Sequence, residues 1–184
     1  KTLSALIDFQ QPVQIPRFNK AVDDRFETEY WTQVNVAPKV IFLEGWCVGA
    51  TAQTEAALVN PINRLEEIED ADCTWRHFVN DALQREYESV FQAFDRFIML
   101  KAPGFYAVKE WRTEQEERLR QRIYETQGDM SALMTSVQIE RFIQHYQRLT
   151  ENALVELPKI ATDVYTLNDQ REIQSVVSPV GGQQ

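Results

Sequence analysis

Lys39-Val40-Ile41-Phe42-Leu43-Glu44-Gly45-Trp46-Cys47-Val48 is the stretch on which the reading of this chain turns. The consecutive apolar residues Val40 to Leu43 read as a strand buried on both faces, the pattern of a parallel sheet. Such a strand would deliver Glu44 and the Gly45 turn to the carboxyl edge of the sheet, where open α/β sheets bind ligands. The plainer alternative is a strand that ends on an acidic residue and a glycine with no ligand at all. The neighbouring segments decide between them.

Upstream, Leu3, Leu6 and Ile7 recur at helical spacing, so Thr2 to Phe9 reads as the end of a helix and the chain opens mid-element. Pro12 and Pro16 make Gln11 to Phe18 an extended connector or edge strand. Arg17 to Tyr30 lacks periodicity and reads as a loop. Within it, Arg17, Lys20 and Arg25 stand beside Asp23 and Asp24. That mixture can grip a small anionic substrate, with the aspartates orienting the cations, or can form a salt-bridged surface loop.

Downstream, Gly49 to Thr54 is a small-residue turn and Asn60-Pro61 a helix boundary. Ile62 to Asp70 is a short acidic helix. Thr74 to Ala93 is a long helix with Trp75, Phe78, Val79, Leu83, Tyr87, Val90 and Phe91 as its apolar stripe. Phe97 to Leu100 forms a second buried strand within Arg96 to Lys101, closed by Ala102-Pro103-Gly104. A charged helix follows over Phe105 to Gln127, ended by Gly128-Asp129. The next spans Thr135 to Leu157, stopped at Pro158, and Thr162 to Leu167 is a short strand. Ser175 to Gln184 reads as a fraying tail, leaving 1–174 as part of a single domain. Strands separated by helices imply right-handed βαβ crossovers, a parallel sheet and an α/β class.

The 184 residues carry a formal charge of −9 and are 43% hydrophobic, which suits one globular domain with a sizeable core. The negative balance argues against non-specific binding to nucleic acid or to an anionic membrane. No apolar run approaches the roughly 20 residues needed to span a bilayer, and Lys1 begins no signal peptide, so the expected location is cytoplasmic. Cys47 and Cys73 lack C-x-x-C spacing and read as reduced structural thiols. His77 and His145 lie far apart without a ligand cluster, which speaks against a metal centre or a histidine triad. Trp75, Trp111 and Tyr146 read as core. Neither a Gly-x-Ser-x-Gly elbow nor a dinucleotide glycine motif occurs.

The helix from Phe105 carries Lys109, Arg112, Arg118, Arg120 and Arg122 among Glu110, Glu114, Glu116 and Glu117. Arg112, Gln115 and Glu116 lie along one face, and Arg118 and Arg122 share another. Most such helices owe the pattern to solvation and intrahelical pairing. Yet guanidinium groups on a helix that follows a strand are also what a phosphoryl-transfer lid needs, because the reacting phosphoryl spreads its charge over oxygens that arginine can fork onto.

Seven motifs stand in order: Ile15-Pro16-Arg17-Phe18-Asn19-Lys20 with Asp23-Asp24-Arg25; Glu44-Gly45-Trp46; Asn60-Pro61-Ile62-Asn63-Arg64-Leu65-Glu66; Trp75-Arg76-His77-Phe78-Val79-Asn80; Leu100-Lys101-Ala102-Pro103; Trp111-Arg112-Thr113-Glu114-Gln115-Glu116; and Phe142 to Thr150. In this order they resemble the C-terminal portion of the glycerate-kinase-like branch of P-loop kinases, relatives of phosphoribulokinase, uridine kinase and pantothenate kinase. The resemblance implies a three-layer parallel sheet flanked by helices. It implies ATP and Mg²⁺ as cofactors and a small-molecule hydroxyl substrate as partner, with no nucleic acid and no membrane; a homo-oligomer is compatible with it. It puts Glu44 at the Walker B-like position, holding Mg²⁺ directly or through water. It assigns Arg17, Lys20, Asp23, Asp24, Arg25 and Trp46 to the acceptor and Arg112, Gln115 and Arg118 to the phosphate lid, with Glu44 and Arg112 catalytic. Where relatives often have Asp after the aromatic residue of the Pro-Arg-Phe motif, this chain has Asn19, which cannot supply the same charge.

No Gly-x-x-x-x-Gly-Lys-Ser/Thr occurs, so the chain as written has no phosphate-binding nest and no lysine or hydroxyl of that motif. In the family the P-loop strand lies between the strands read at Lys39 to Leu43 and Arg96 to Lys101. Leaving it out strands amides that cost about 1–3 kcal/mol each if buried. The expectation is a piece of a longer product, or another segment in that gap. Two functions follow: an ATP-dependent kinase for a small glycerate-like metabolite, or an inactive relative that keeps the scaffold for binding or assembly. Nucleoside phosphorylation is a third.

Overall fold

Proline placement sets the first strand: Pro12 precedes and Pro16 follows β1 (Val13–Ile15), neither of them inside its ladder. In the computed structural model, residues 1–19, 24–126 and 133–178 are described, and the chain divides into two compact units, Lys1–Gly45 and Trp46–Gln184.

In the first unit, α1 (Thr2–Asp8) buries Leu6 and packs on β1, whose Val13 is also buried. Two-residue strands β2 (Phe18–Asn19) and β3 (Asp24–Arg25) pair antiparallel, Phe18 opposite Arg25, and β4 (Thr32–Val34) pairs with β1. The span Arg17 to Tyr30, expected as a loop, therefore contains a hairpin and a 3-10 turn at Thr28–Tyr30. Aromatic contacts organise it. Phe26 packs on Tyr30 with ring centres 6.0 Å apart, and Trp31 Nε1 donates to the Phe26 carbonyl at 2.7 Å. Strands this short leave no period to read.

The decisive stretch departs from expectation. Lys39 to Leu43 is not a strand: Val40 is 66% and Phe42 89% exposed. An apolar run has strand propensity, but a strand exists only through a neighbour's hydrogen bonds, and no described strand pairs with this one.

The second unit is built on a three-stranded sheet. β5 (Ile98–Lys101) runs parallel to β6 (Asp163–Leu167), and β7 (Ile173–Val177) returns antiparallel to β6 with an irregularity at Thr166/Leu167. Helices α6 (Phe105–Glu125) and α7 (Ser136–Ile160) lie between β5 and β6 in the chain, as a parallel pair requires. The α/β class thus stands, with β7 an antiparallel addition. Ser175, Val176 and Val177, expected in the tail, end β7. Met99 and Val164 pack with Leu157 and Ala161 of the α7 end to make one core; Val108, Ile139 and Ile143 join α6 to α7 in another. Burial of Leu157 and Ala161 explains why α7 runs past Pro158: packing holds its last turn, and the Ala161 N–H reaches the Leu157 carbonyl at 2.9 Å. A capping box opens α7, Thr135 and Gln138 each accepting from the other's backbone N–H.

The helix expected over Thr74 to Ala93 is broken into α4 (Thr74–Ala82), a π-helical turn at Leu83–Tyr87 and α5 (Glu88–Phe91). Its stripe is also misassigned: Trp75 and Phe78 are each 64% exposed, and α4 buries Arg76 and Asn80 instead. Ion pairing draws the polar face inward, as described below. Short helices α2 (Glu55–Leu58) and α3 (Arg64–Glu69) precede it. The Gly128-Asp129 stop lies outside the described residues. Among those described, no helix is long and apolar enough to cross a membrane.

Candidate functional site

Two residues singled out by motif, Trp46 and Arg112, are joined through α7. The Trp46 ring stacks on Tyr146 with centroids 4.6 Å apart and planes 11° from parallel, and its Nε1 donates to Thr150 Oγ1 at 3.0 Å. Tyr146 packs on Phe142 at 5.1 Å. The Arg112 guanidinium lies over the other side of that cluster, 5.5 Å from the Phe142 ring centre. Residues 142, 146 and 150 recur at i, i+4 and i+8, so one face of α7 presents the whole row. Sequence reading put Tyr146 on a stripe without seeing that Trp46 would stack there.

Arg112 does not point freely at solvent. Its Nη1 contacts Glu116 Oε2 at 2.8 Å one turn along α6, and Glu116 Oε1 accepts the Met134 N–H at 2.7 Å. Glu116 is buried, so the pair staples α6 to the segment that enters α7. Arg118 is paired with Glu114, which also receives Arg171 from the turn between β6 and β7. Arg171, followed by Arg118, holds the Glu114 carboxyl below its ordinary range. The same turn grips the first half of α6: Tyr106 donates to Asp169 Oδ1 and Trp111 Nε1 to the Asp169 carbonyl, both at 2.8 Å, while Arg171 lies 5.2 Å over the Trp111 ring. Gln115 is exposed. The expected lid residues thus share a helix, and the two arginines among them, Arg112 and Arg118, are engaged by carboxylates.

The Asn60 to Glu66 motif turns out to be the foot of a buried charge network. Arg148 of α7 forks onto Glu66, Nε to Oε1 at 2.8 Å and Nη2 to Oε2 at 2.6 Å, and also donates to the carbonyls of Ala57 and Asn60. Arg76 donates from Nε to Asp70 Oδ2 at 2.8 Å and reaches the Leu58 carbonyl at 3.2 Å. Asn63 caps α3, accepting from the Glu66 N–H, and donates to the Gln144 carbonyl. All four charges are buried and paired, which is how buried charge is tolerated. Sequence reasoning named these residues only as motif members; nothing in their spacing announces partners 82 positions apart.

Between α6 and α7 opens a cavity of about 350 Å³ beside Asn63, with Phe105 and Ile143 as apolar wall and Lys109 at its rim. Lys109 pairs with Glu140 at 3.4 Å.

Other expected residues belong to the first unit. Arg17 donates to the Tyr30 carbonyl and lies over Phe26, 5.5 Å from its centre. Asp24 Oδ1 accepts the Arg25 N–H, and both residues are exposed in β3. Lys20 and Asp23 lie outside the described residues. Glu44 is exposed in a segment without regular structure, so the strand that was to aim it is not formed. Among the described residues no group of three or more potential ligands could hold a metal. One exposed carboxylate fits Mg²⁺ in the manner of a nucleotide-borne ion, which takes one or two carboxylates and completes its shell with phosphate and water.

The second unit's parallel strands with their flanking helices, and the chain as a whole, have the fold of the glycerate-kinase-like P-loop kinases. The chain superposes on D-glycerate 3-kinase from Cryptococcus neoformans with a TM-score of 0.70 and 21% identity, over 96% of this chain and 63% of that one. It superposes on the YGR205w protein with a TM-score of 0.62 and 19% identity, over 96% and 62%. In sequence it is 28% identical over 145 residues to the uncharacterized kinase mug58 of Schizosaccharomyces pombe, covering 74% of this chain and 47% of that protein. The chain therefore spans about half the length of that relative and less than two thirds of either solved structure. No family model matches it.

Proposed function

We propose that this chain belongs to an ATP-dependent kinase that phosphorylates a hydroxyl of a small, glycerate-like metabolite in the cytoplasm. The observation that carries the reading is the row on α7 that joins Trp46, next to the Glu44-Gly45 motif, to Arg112 on the helix expected to close over phosphate. The likeness to a glycerate kinase over 96% of the chain and the kinase-named relative support it. In this reading Arg17, Lys20, Asp23, Asp24, Arg25 and Trp46 hold the acceptor; Arg112, Gln115 and Arg118 serve the nucleotide's phosphates; and Glu44 holds Mg²⁺. When bound, the ion neutralises charge on the phosphates. Catalysis then comes chiefly from positioning, since in-line transfer asks the protein for little covalent chemistry.

A second reading is favoured by one specific observation. Arg112 and Arg118 are both neutralised by carboxylates. An inactive relative that keeps the scaffold for binding or assembly would look the same. Protein expressed from the complete gene, incubated with ATP, Mg²⁺ and a panel of hydroxy acids and nucleosides including glycerate, separates the two. ADP and a phosphorylated product are expected. Absence of turnover together with absence of nucleotide binding overturns the kinase reading.

A further inference from the structure

Of the lysines and arginines in the described part of the second unit, four are buried or half-buried: Arg76, Lys101, Arg112 and Arg148. Three of them face carboxylates, Arg76 with Asp70, Arg112 with Glu116 and Arg148 with Glu66. The Lys101 side chain has no carboxylate within ion-pair distance and makes no hydrogen bond among the described residues. A half-buried lysine with no carboxylate partner is a place where an anion meets a positive charge that the protein has not neutralised. The position of Lys101 says where. It is the last residue of β5, at the carboxyl end of the parallel pair, in register with Thr166 of β6.

Residues opposite each other in register project from the same face of a sheet. The Thr166 hydroxyl, half-buried, likewise has no partner among the described residues. Lys101 and Thr166 thus stand side by side on one face of the sheet, at the edge where α/β sheets take ligands. The chain supplies no competing charge nearby in sequence: from Ala102 to Val108 there is no carboxylate. Arg112 and Arg118, by contrast, each have to leave a carboxylate before they can serve a ligand.

We propose that Lys101, with Thr166 beside it, binds an oxyanion of the substrate pair, and that this anion is a phosphate of the nucleotide. The inference rests on the kinase reading and deepens it by naming a cation the motifs did not assign. Lysine suits the task as a compact point charge on phosphate. The carboxylate of a hydroxy-acid acceptor offers the same chemistry, and the test separates the two sources.

Protein from the complete gene is treated with a lysine-acetylating reagent, and the rate at Lys101 is read by peptide mass spectrometry with exposed Lys159 as internal control. MgATP and inorganic tripolyphosphate are expected to slow acetylation of Lys101 several-fold and leave Lys159 unchanged, with glycerate alone without effect. Lys101→Met should weaken nucleotide affinity about tenfold or more, as expected for one lost charge-assisted contact, and Lys101→Arg should recover part of it. Protection by glycerate and not by tripolyphosphate overturns the assignment to phosphate. Nucleotide binding with no protection by any of the three overturns Lys101 as the anion residue and leaves the kinase reading in place. Failure to bind nucleotide at all overturns both. The protection experiment uses the unaltered protein, so it holds even if the variants fold poorly.

Discussion

Arg112 and Glu116 face each other one turn apart on α6, Nη1 to Oε2 at 2.8 Å, and Glu116 is 3% exposed. Glu116 thereby does two things: it neutralises an arginine expected over phosphate, and it fastens the Met134 backbone through Oε1. Glu116→Ala removes both and leaves Arg112 half-buried without a counter-charge. The expected loss is about 3–5 kcal/mol of stability, the range for breaking a buried pair, read as a lower urea midpoint. Glu116→Gln keeps an acceptor for Met134 while releasing the arginine. It should retain more stability than the alanine variant, and in the kinase reading it should bind nucleotide no worse than the unaltered protein.

The Arg148–Glu66 fork tests whether the Asn60 to Glu66 segment is a folding element. Arg148→Met leaves Glu66 with only the longer contact to Arg76 at 3.7 Å and the Ile62 N–H, and withdraws donors from the Ala57 and Asn60 carbonyls. A loss of about 3–5 kcal/mol is expected. Arg148→Lys should recover little of it, because an ammonium cannot reproduce the two-pronged contact while also reaching the carbonyls. A double-mutant cycle with Glu66→Gln should show strong coupling, the double variant losing less than the two singles added. Additive losses in that cycle would mean that the fork is incidental to the segment.

How much of this was legible beforehand depends on what each element needs. Phe97 to Leu100 and Thr162 to Leu167 were readable as strands because they pair with each other, but the first is not the buried strand expected: Met99 enters the core with α7 while Ile98 and Leu100 are exposed. Val40 to Leu43 carries as strong an apolar signal and forms no strand, since a run states propensity and says nothing about whether a neighbour is there to pair. β7 was hidden for the opposite reason: Ile173-Gln174-Ser175-Val176-Val177 is exposed and mixed in character, and β6 supplies its order. On α4 the loudest residues misled. Trp75 and Phe78 point outward because Arg76, at the same end of the helix, is committed to Asp70. For the candidate site, motifs singled out Trp46 and Arg112, which the fold places in one unit. The motifs could not reveal that Tyr146 and Phe142 lie between them, nor that Lys101 alone among the described half-buried cations of the second unit lacks a carboxylate, because both facts depend on contacts distant in sequence.

Gly49 is where the backbone after Trp46 must take a left-handed turn, at φ +82°. A Cβ there would sit inside the Phe97 ring edge, 2.9 Å from Cε2. Gly49→Ala thus meets two costs, the positive φ and the clash, together about 2–4 kcal/mol. Adding Phe97→Leu should return the steric share and leave the conformational share. Thermal melts of the three variants check this, and a Gly49→Ala protein as stable as the unaltered one would show that the turn can rearrange.

His77 offers a titration whose sign follows from its partners. Its Nδ1 lies 2.8 Å from the Cys73 carbonyl and its Nε2 2.9 Å from Glu55 Oε2. The Cys73 carbonyl first, then Glu55, favour the protonated ring and raise its pKa above the ordinary 6.5. A group whose folded pKa is raised contributes stability that is fully present below the unfolded value and lost as pH climbs through the folded one. The contact between α2 and α4 that His77 makes should therefore be tightest in mildly acid buffer and weaken as pH rises past 6.5. Both groups are exposed, so the effect on global stability is small and salt-dependent. The proton NMR titration of His77 is the sensitive readout: Glu55→Gln should move its midpoint down toward the ordinary value without abolishing the shift, because the Cys73 carbonyl remains. An unchanged midpoint in that variant would assign the shift to the Cys73 carbonyl and Asp81 and remove Glu55 from the pair.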